Sequence, residues 1–147
     1  LGDSSKPIII DSLNEINFGE SPKDMNTVKL NLDDLWEGWH MGLLFYHYGY
    51  GGEALIDVVA RLREAVDAIF LAASVSSPKG CTALAVTHSG LMRVILAAAM
   101  HAKEKNERLF EINGGWDFKA ARNMMHGYCS GFWLDILVED TSGKFIT

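Results

Sequence analysis

The stretch from Cys81 to Met100, Cys-Thr-Ala-Leu-Ala-Val-Thr-His-Ser-Gly-Leu-Met-Arg-Val-Ile-Leu-Ala-Ala-Ala-Met, constrains the fold more than any other. Thr82 to Val86 is short, apolar and partly β-branched, which predicts a buried strand. Thr87-His-Ser-Gly90 breaks the run with polar residues, and Leu91 to Met100 is apolar on every side, which suits a buried helix. His88 is therefore expected where a strand ends and a helix begins. In open α/β sheets ligands bind at that edge. The unpaired N–H groups of the helix start face it, and the helix dipole favours an anion there. An imidazole at this point either adds a positive charge or moves a proton, or it simply holds the loop.

The 147 residues suffice for a single domain, read as 1–147, with a real core. Apolar residues at 48% and charged residues at 22% give an ordinary globular balance. The net charge of −6 argues against nucleic acid as a partner, because a phosphate backbone needs a basic face. No run reaches the roughly 18 uninterrupted apolar residues of a membrane span. Cys81 and Cys129 have neither CxxC spacing nor a disulfide framework, which fits a reducing intracellular compartment or two small buried side chains. Leu1 to Ser5 has no signal-peptide character.

Lys6 to Asp11 reads as a strand, and Ser12 to Glu20 as extended or loop-like. Glu15 lies between apolar neighbours. Partial burial would raise its pKa and make it a proton donor, while a solvated or paired glutamate is the plainer alternative. Asn31 to Gly38 reads as a short capped helix. Residues 39–52 are rich in aromatics and glycine, consistent with a lid, a packing flap or a partner surface. His40, His47 and His88 lack metal-ligand spacing, so no metal or other cofactor is expected. Leu55, Val58, Val59, Leu62, Val66, Ile69 and Phe70 recur at three- and four-residue steps and predict a helix over 51–73. Asp57 and Arg61, four apart, are placed to pair on it. Leu109 to Ile112 reads as extended, Asp117 to Met125 as a short helix or arm, and Gly131 to Thr147 as a closing hairpin.

Four segments, in order, resemble those of a known family. Leu13-Asn-Glu-Ile-Asn-Phe-Gly-Glu20 resembles the L-x-E-I-x-F-G-E segment of the histidine phosphatase superfamily, the phosphoglycerate mutase-like proteins. Gly51-Gly-Glu-Ala-Leu-Ile-Asp-Val-Val-Ala-Arg61 resembles its G-G-E-S-x-x-D-V-x-x-R helix start. Val86-Thr-His-Ser-Gly-Leu-Met-Arg93 resembles its V-x-H-G-G-x-x-R turn, and Tyr128-Cys-Ser its N-C-S terminal strand. The resemblance implies an α/β fold, a three-layer phosphoglycerate mutase-like sheet with helices on both faces. It also implies phosphoryl transfer. In that family a histidine of an Arg-His-Gly motif attacks phosphorus, two arginines and a second histidine hold the phosphate, and a carboxylic acid protonates the leaving oxygen. Glu15 matches the acid, His88 the second histidine, and Ser89 the position whose N–H meets phosphate.

No Arg-His-Gly occurs in these residues; His126-Gly127 follows Met125. The resemblance puts the nucleophile strand, the first helix and an arginine segment before residue 1, so that the amino-terminal strand and helix are missing here. Trp36-Glu-Gly38 stands downstream of its usual place after Glu20, where Ser21-Pro-Lys stands instead. Two functions follow. One is the carboxyl-terminal portion of a phosphatase or mutase, inactive alone, with a phosphate ester as substrate once an upstream half completes it. The other is a catalytically dead relative serving as a structural or binding subunit. Either leaves a strand edge for a protein partner or a second copy to cover.

Overall fold

The computed structural model describes residues 7–20, 32–76, 83–112, 115–125, 131, 137–139 and 144–146. The expectations for Cys81, Cys129 and Tyr128 to Ser130 lie outside them. A short 3-10 turn, Asp11–Leu13, is followed by helices α1 (Asp33–His40), α2 (Leu55–Ser76), α3 (Ser89–Lys105) and α4 (Phe118–Met124). Two three-residue strands, β1 (Leu137–Glu139) and β2 (Lys144–Ile146), follow. They pair antiparallel with Leu137 opposite Ile146 and Glu139 opposite Lys144, as the closing hairpin predicts.

The three-layer sheet is not formed. Among the described residues the only sheet is that two-stranded hairpin, and the rest of the regular structure is helical. Residues 7–10 and 83–86, which lie in segments read as strands, are free of regular structure, and Leu109 and Phe110 lie in a turn where the sequence reads 109–112 as extended. The reason is where hydrogen bonds close. A helix satisfies its N–H and C=O groups within its own segment, whereas a strand needs a lateral partner. No described segment pairs with 83–88, so Leu84 and Val86 stand 93% and 82% exposed instead of buried.

The helices form where periodicity places them. On α2, Leu55, Val58, Val59 and Leu62 are buried, but Phe70 is 44% exposed. Asp57 reaches back to accept from the Ala54 N–H at 3.1 Å and so closes the helix start. Helix α1 begins after Leu32, without a side-chain cap. Helix α3 ends at Asn106, left-handed at φ 56°, with Lys103 and Lys105 in the last turn where the dipole favours cations. Asp117 caps α4, accepting from the Ala120 N–H at 2.8 Å.

The core lies between α1, α2, α3 and α4 and holds a chain of aromatic rings. Trp36 meets Trp39 edge to face at 5.3 Å, and both touch Phe118, at 5.7 and 5.9 Å. Trp116 continues the chain, 6.2 Å from Phe118. Arg93 of α3 lays its guanidinium 4.2 Å over Trp36 and donates from Nε to the Phe118 carbonyl at 2.8 Å. Burial, and next the Arg122 charge, push Arg93 down to about 10 against the pull of Asp33, so it is still a cation at neutral pH. Among the described residues no helix is long and apolar enough to cross a membrane.

Candidate functional site

Helix α3 starts abruptly. His88 is its amino-terminal flanking residue, with extended backbone at φ −100°, ψ 159°, and its carbonyl accepts the first helical bond from the Met92 N–H at 2.9 Å. The next N–H groups have no intrahelical acceptor by the geometry of the first turn. Gly90 points its N–H at the Glu15 carboxylate, which accepts through Oε2 at 3.4 Å. Oε1 accepts from the Ile16 N–H at 2.9 Å. Glu15 thus lies on the positive end of α3, where a carboxylate is favoured. Gly90 admits it: a Cβ there would come within 2.6 Å of Glu15 Oε1.

A second contact ties the same two segments. Thr87 donates from Oγ1 to the Leu13 carbonyl at 2.5 Å. The 13–16 and 87–90 segments therefore meet even though neither is a strand. Glu15, His88 and Ser89 come to one place, Glu15 half-buried and His88 and Ser89 exposed. The geometry thus brings the start of α3 against a carboxyl group, with His88 two residues from the Gly90 N–H that the carboxylate accepts.

The surroundings of Glu15 are built by a pair that the i, i+4 rule misses. Arg61 does not pair with Asp57, which is engaged at Ala54. It forks instead onto Glu53, with Nε at 2.6 Å from Oε1 and Nη2 at 3.0 Å from Oε2. Its Nη1 also donates to the carbonyls of Ser12 and Asn14, both at 2.8 Å, and its Nη2 to that of Glu15 at 3.3 Å. Glu53 in turn accepts the Asn17 N–H at 2.7 Å. The available signal was Glu53 and Arg61 standing together in one motif; spacing alone favoured the wrong carboxylate.

Burial raises the Glu53 pKa, but hydrogen bonds from Arg61 and the Asn17 N–H, with the Arg61 charge, outweigh it and leave the group below its usual 4.5. A carboxyl held down in the folded state stabilises the fold above its unfolded pKa, and that contribution fades as pH falls through the lowered value. Urea midpoints should accordingly drop below about pH 4.5. Glu53→Gln should lose stability at neutral pH and show a flatter acid limb.

The aromatic and glycine-rich segment is tied down at its centre. Trp39 donates from Nε1 to the Tyr46 carbonyl at 2.7 Å, and the Tyr46 ring packs on Gly38. Met41, Phe45 and Tyr50 remain largely exposed. His40 Nδ1 meets the Trp116 carbonyl at 3.0 Å, and His47 Nδ1 the Gly49 carbonyl at 2.9 Å. Among the described residues no three His, Cys, Asp or Glu side chains cluster to hold a metal ion.

The family model for the histidine phosphatase superfamily (branch 1) matches residues 2–122. The chain belongs to the histidine phosphatase superfamily. No curated protein and no solved structure gives a match. The matched span includes the three segments that carry Glu15, Arg61 and His88, and stops short of Tyr128-Cys-Ser. Within this superfamily member, then, the contact between Glu15 and the α3 start joins two of the motifs that carry the resemblance. Arg93, the last residue of the third motif, is spent on Trp36 and the Phe118 carbonyl.

Proposed function

We propose that these residues form the acid-and-anion half of a phosphoryl-transfer site. Glu15 is the general acid for the leaving oxygen. His88 and the Ser89 N–H hold the phosphoryl group at the start of α3. The nucleophilic histidine and the phosphate-holding arginines come from outside the 147 residues, which contain no Arg-His-Gly. The observation that carries this reading is the Glu15 carboxylate seated on the Gly90 N–H, two residues from His88.

The chemistry follows from roles. An attacked phosphoryl group gathers charge on its equatorial oxygens, and a helix start with an imidazole offers donors to it. Charge also builds on the departing ester oxygen, and a protonated Glu15 relieves it by transfer from the carboxyl oxygen. General-acid help contributes about 10²–10⁴-fold, and only once a nucleophile attacks. The half-site alone therefore should not turn over esters. The exposed 83–86 segment, with Leu84 and Val86 outward, is where a completing strand, another protein or a second copy would pair.

The test is p-nitrophenyl phosphate hydrolysis by the full-length product of the encoding gene. Hydrolysis is expected, with His88→Ala abolishing it. An inactive full-length product, whose His88→Ala and Glu15→Gln forms assemble as before, would instead favour a binding subunit.

A further inference from the structure

We infer that Arg61, bridged to Glu53, is a positioning residue that fixes the Glu15 carboxyl group against the start of α3. The inference rests on the reading of Glu15 as the acid. It concerns a residue that touches neither the phosphoryl group nor the leaving oxygen.

The argument begins with the segment that carries Glu15. Residues 14–19 form neither helix nor strand; backbone bonds fix their far end, where the Phe18 carbonyl accepts from the Gly49 N–H and Glu20 pairs with Tyr50, but no such bond sets the path at Glu15 itself. Side chains of another element set it. Arg61 takes the carbonyls of Ser12, Asn14 and Glu15 on one side of the acid. Glu53 takes the Asn17 N–H on the other side, at 2.7 Å, and the Asn17 carbonyl accepts the Glu53 N–H at 2.7 Å. Glu15 is thereby bracketed within six residues. The two bracketing side chains are locked to each other through both carboxylate oxygens.

Geometry explains why arginine is needed. Five donors in a rigid plane satisfy two carboxylate oxygens and three carbonyls at once. A lysine ammonium keeps the charge but has three donors on one atom, and cannot span the same acceptors. The bracket is also well shielded, with the Arg61 and Glu53 side chains only 18% and 20% exposed. Downstream, the Glu15 carboxyl has little latitude: Oε1 is held by Ile16 and Oε2 by Gly90. A shift of the 12–17 backbone moves the carboxyl off the α3 start directly.

The experiment uses the full-length protein with Arg61→Gln and Arg61→Lys, and Glu15→Gln as reference. The first readout is the Gly90 amide resonance followed from neutral to acid pH. In the parent it should show a step from Glu15 ionisation, identified by its loss in Glu15→Gln. His88, Glu53 and Arg61 are the other ionisable groups of these segments, and any step that persists in Glu15→Gln belongs to them. Arg61→Gln should largely erase the step. Arg61→Lys, which keeps the charge beside Glu53 and with it the fold, should weaken it. The second readout compares phenyl phosphate with p-nitrophenyl phosphate, because phenolate leaves poorly without a proton and nitrophenolate does not. Both Arg61 variants should lose about tenfold or more on phenyl phosphate beyond their loss on the nitrophenyl ester, since misplacing a group by 1 Å can cost ~10²-fold.

An unchanged Gly90 step in folded Arg61 variants, or equal losses on both esters, overturns the inference. If Glu15→Gln itself loses equally on both esters, the acid assignment fails instead. If the full-length protein hydrolyses neither ester, the Gly90 step alone decides whether Arg61 positions Glu15.

Discussion

Trp39→Ala should cost about 4 kcal/mol of folding free energy, the middle of the range for removing a buried aromatic. Trp39 is fully buried, and its ring joins two others, edge to face with Trp36 and tilted against Phe118. Each such ring pair adds roughly 0.5–1.5 kcal/mol beyond area burial. The indole also satisfies the Tyr46 carbonyl, and a part-buried acceptor left alone costs about 1–3 kcal/mol. These contributions overlap and do not simply add. Domains of this size are stable by only about 5–15 kcal/mol, so the variant would lose a large share of its margin. Equilibrium urea unfolding checks this. Trp39→Phe separates the parts, since it keeps most ring contacts but strands the Tyr46 carbonyl, and should cost less than half as much. A Trp39→Ala loss below about 1 kcal/mol would mean that the ring chain is not the centre of this core.

The contrast between helices and sheet shows what a single sequence discloses. Leu55, Val58, Val59 and Leu62 announce α2 because a helix repeats its contacts every three or four residues. Residues 117–125, read as either a short helix or an arm, resolve to helix α4 by an equally local contact, the Asp117 side chain serving a backbone group three residues on. Thr82 to Val86 has strand composition, yet composition supplies no partner. The described residues leave Leu84 and Val86 in solvent, and the three-layer sheet that the resemblance implies does not appear among them.

The candidate site divides along the same line. His88 at a helix start was legible from the Thr87 to Gly90 break alone. Its meeting with Glu15 was not, because 73 positions separate them and no local rule spans that interval; only the ordered motifs suggested it. Arg61 shows a local rule misdirecting. Asp57 stands at the favoured four-residue spacing, but its carboxylate closes the α2 start at Ala54. Glu53 lies eight residues back, before the helix, where the chain turns the carboxylate onto the guanidinium. Helical spacing describes pairs within a helix, and this pair joins a helix to the segment that leads into it.

Gly19→Ala should cost about 3 kcal/mol, from two sources that controls separate. Gly19 has φ +80°, where a Cβ meets the following carbonyl and an L residue gives up roughly 1–2 kcal/mol. The added Cβ would also stand 2.6 Å from the Gly49 carbonyl carbon and 2.8 Å from the Gly52 nitrogen. Those neighbours are backbone, and they cannot rotate aside as a side chain would. Gly51, at φ +69°, and Gly42, at φ +82°, share the dihedral cost but face open space. Gly51→Ala and Gly42→Ala should therefore each cost only about 1–2 kcal/mol. The excess at Gly19 measures how tightly the end of the Glu15 segment is pressed onto the 49–52 turn. That turn leads into Glu53, so the strain has two outlets. If the 49–52 turn moves, the Glu53 hold on the Asn17 N–H loosens and the Gly90 amide should sense it. If the 17–20 segment moves alone, stability falls while the Gly90 resonance stays where it is. Equal losses for all three alanine variants would show that the close backbone approach carries no energetic weight.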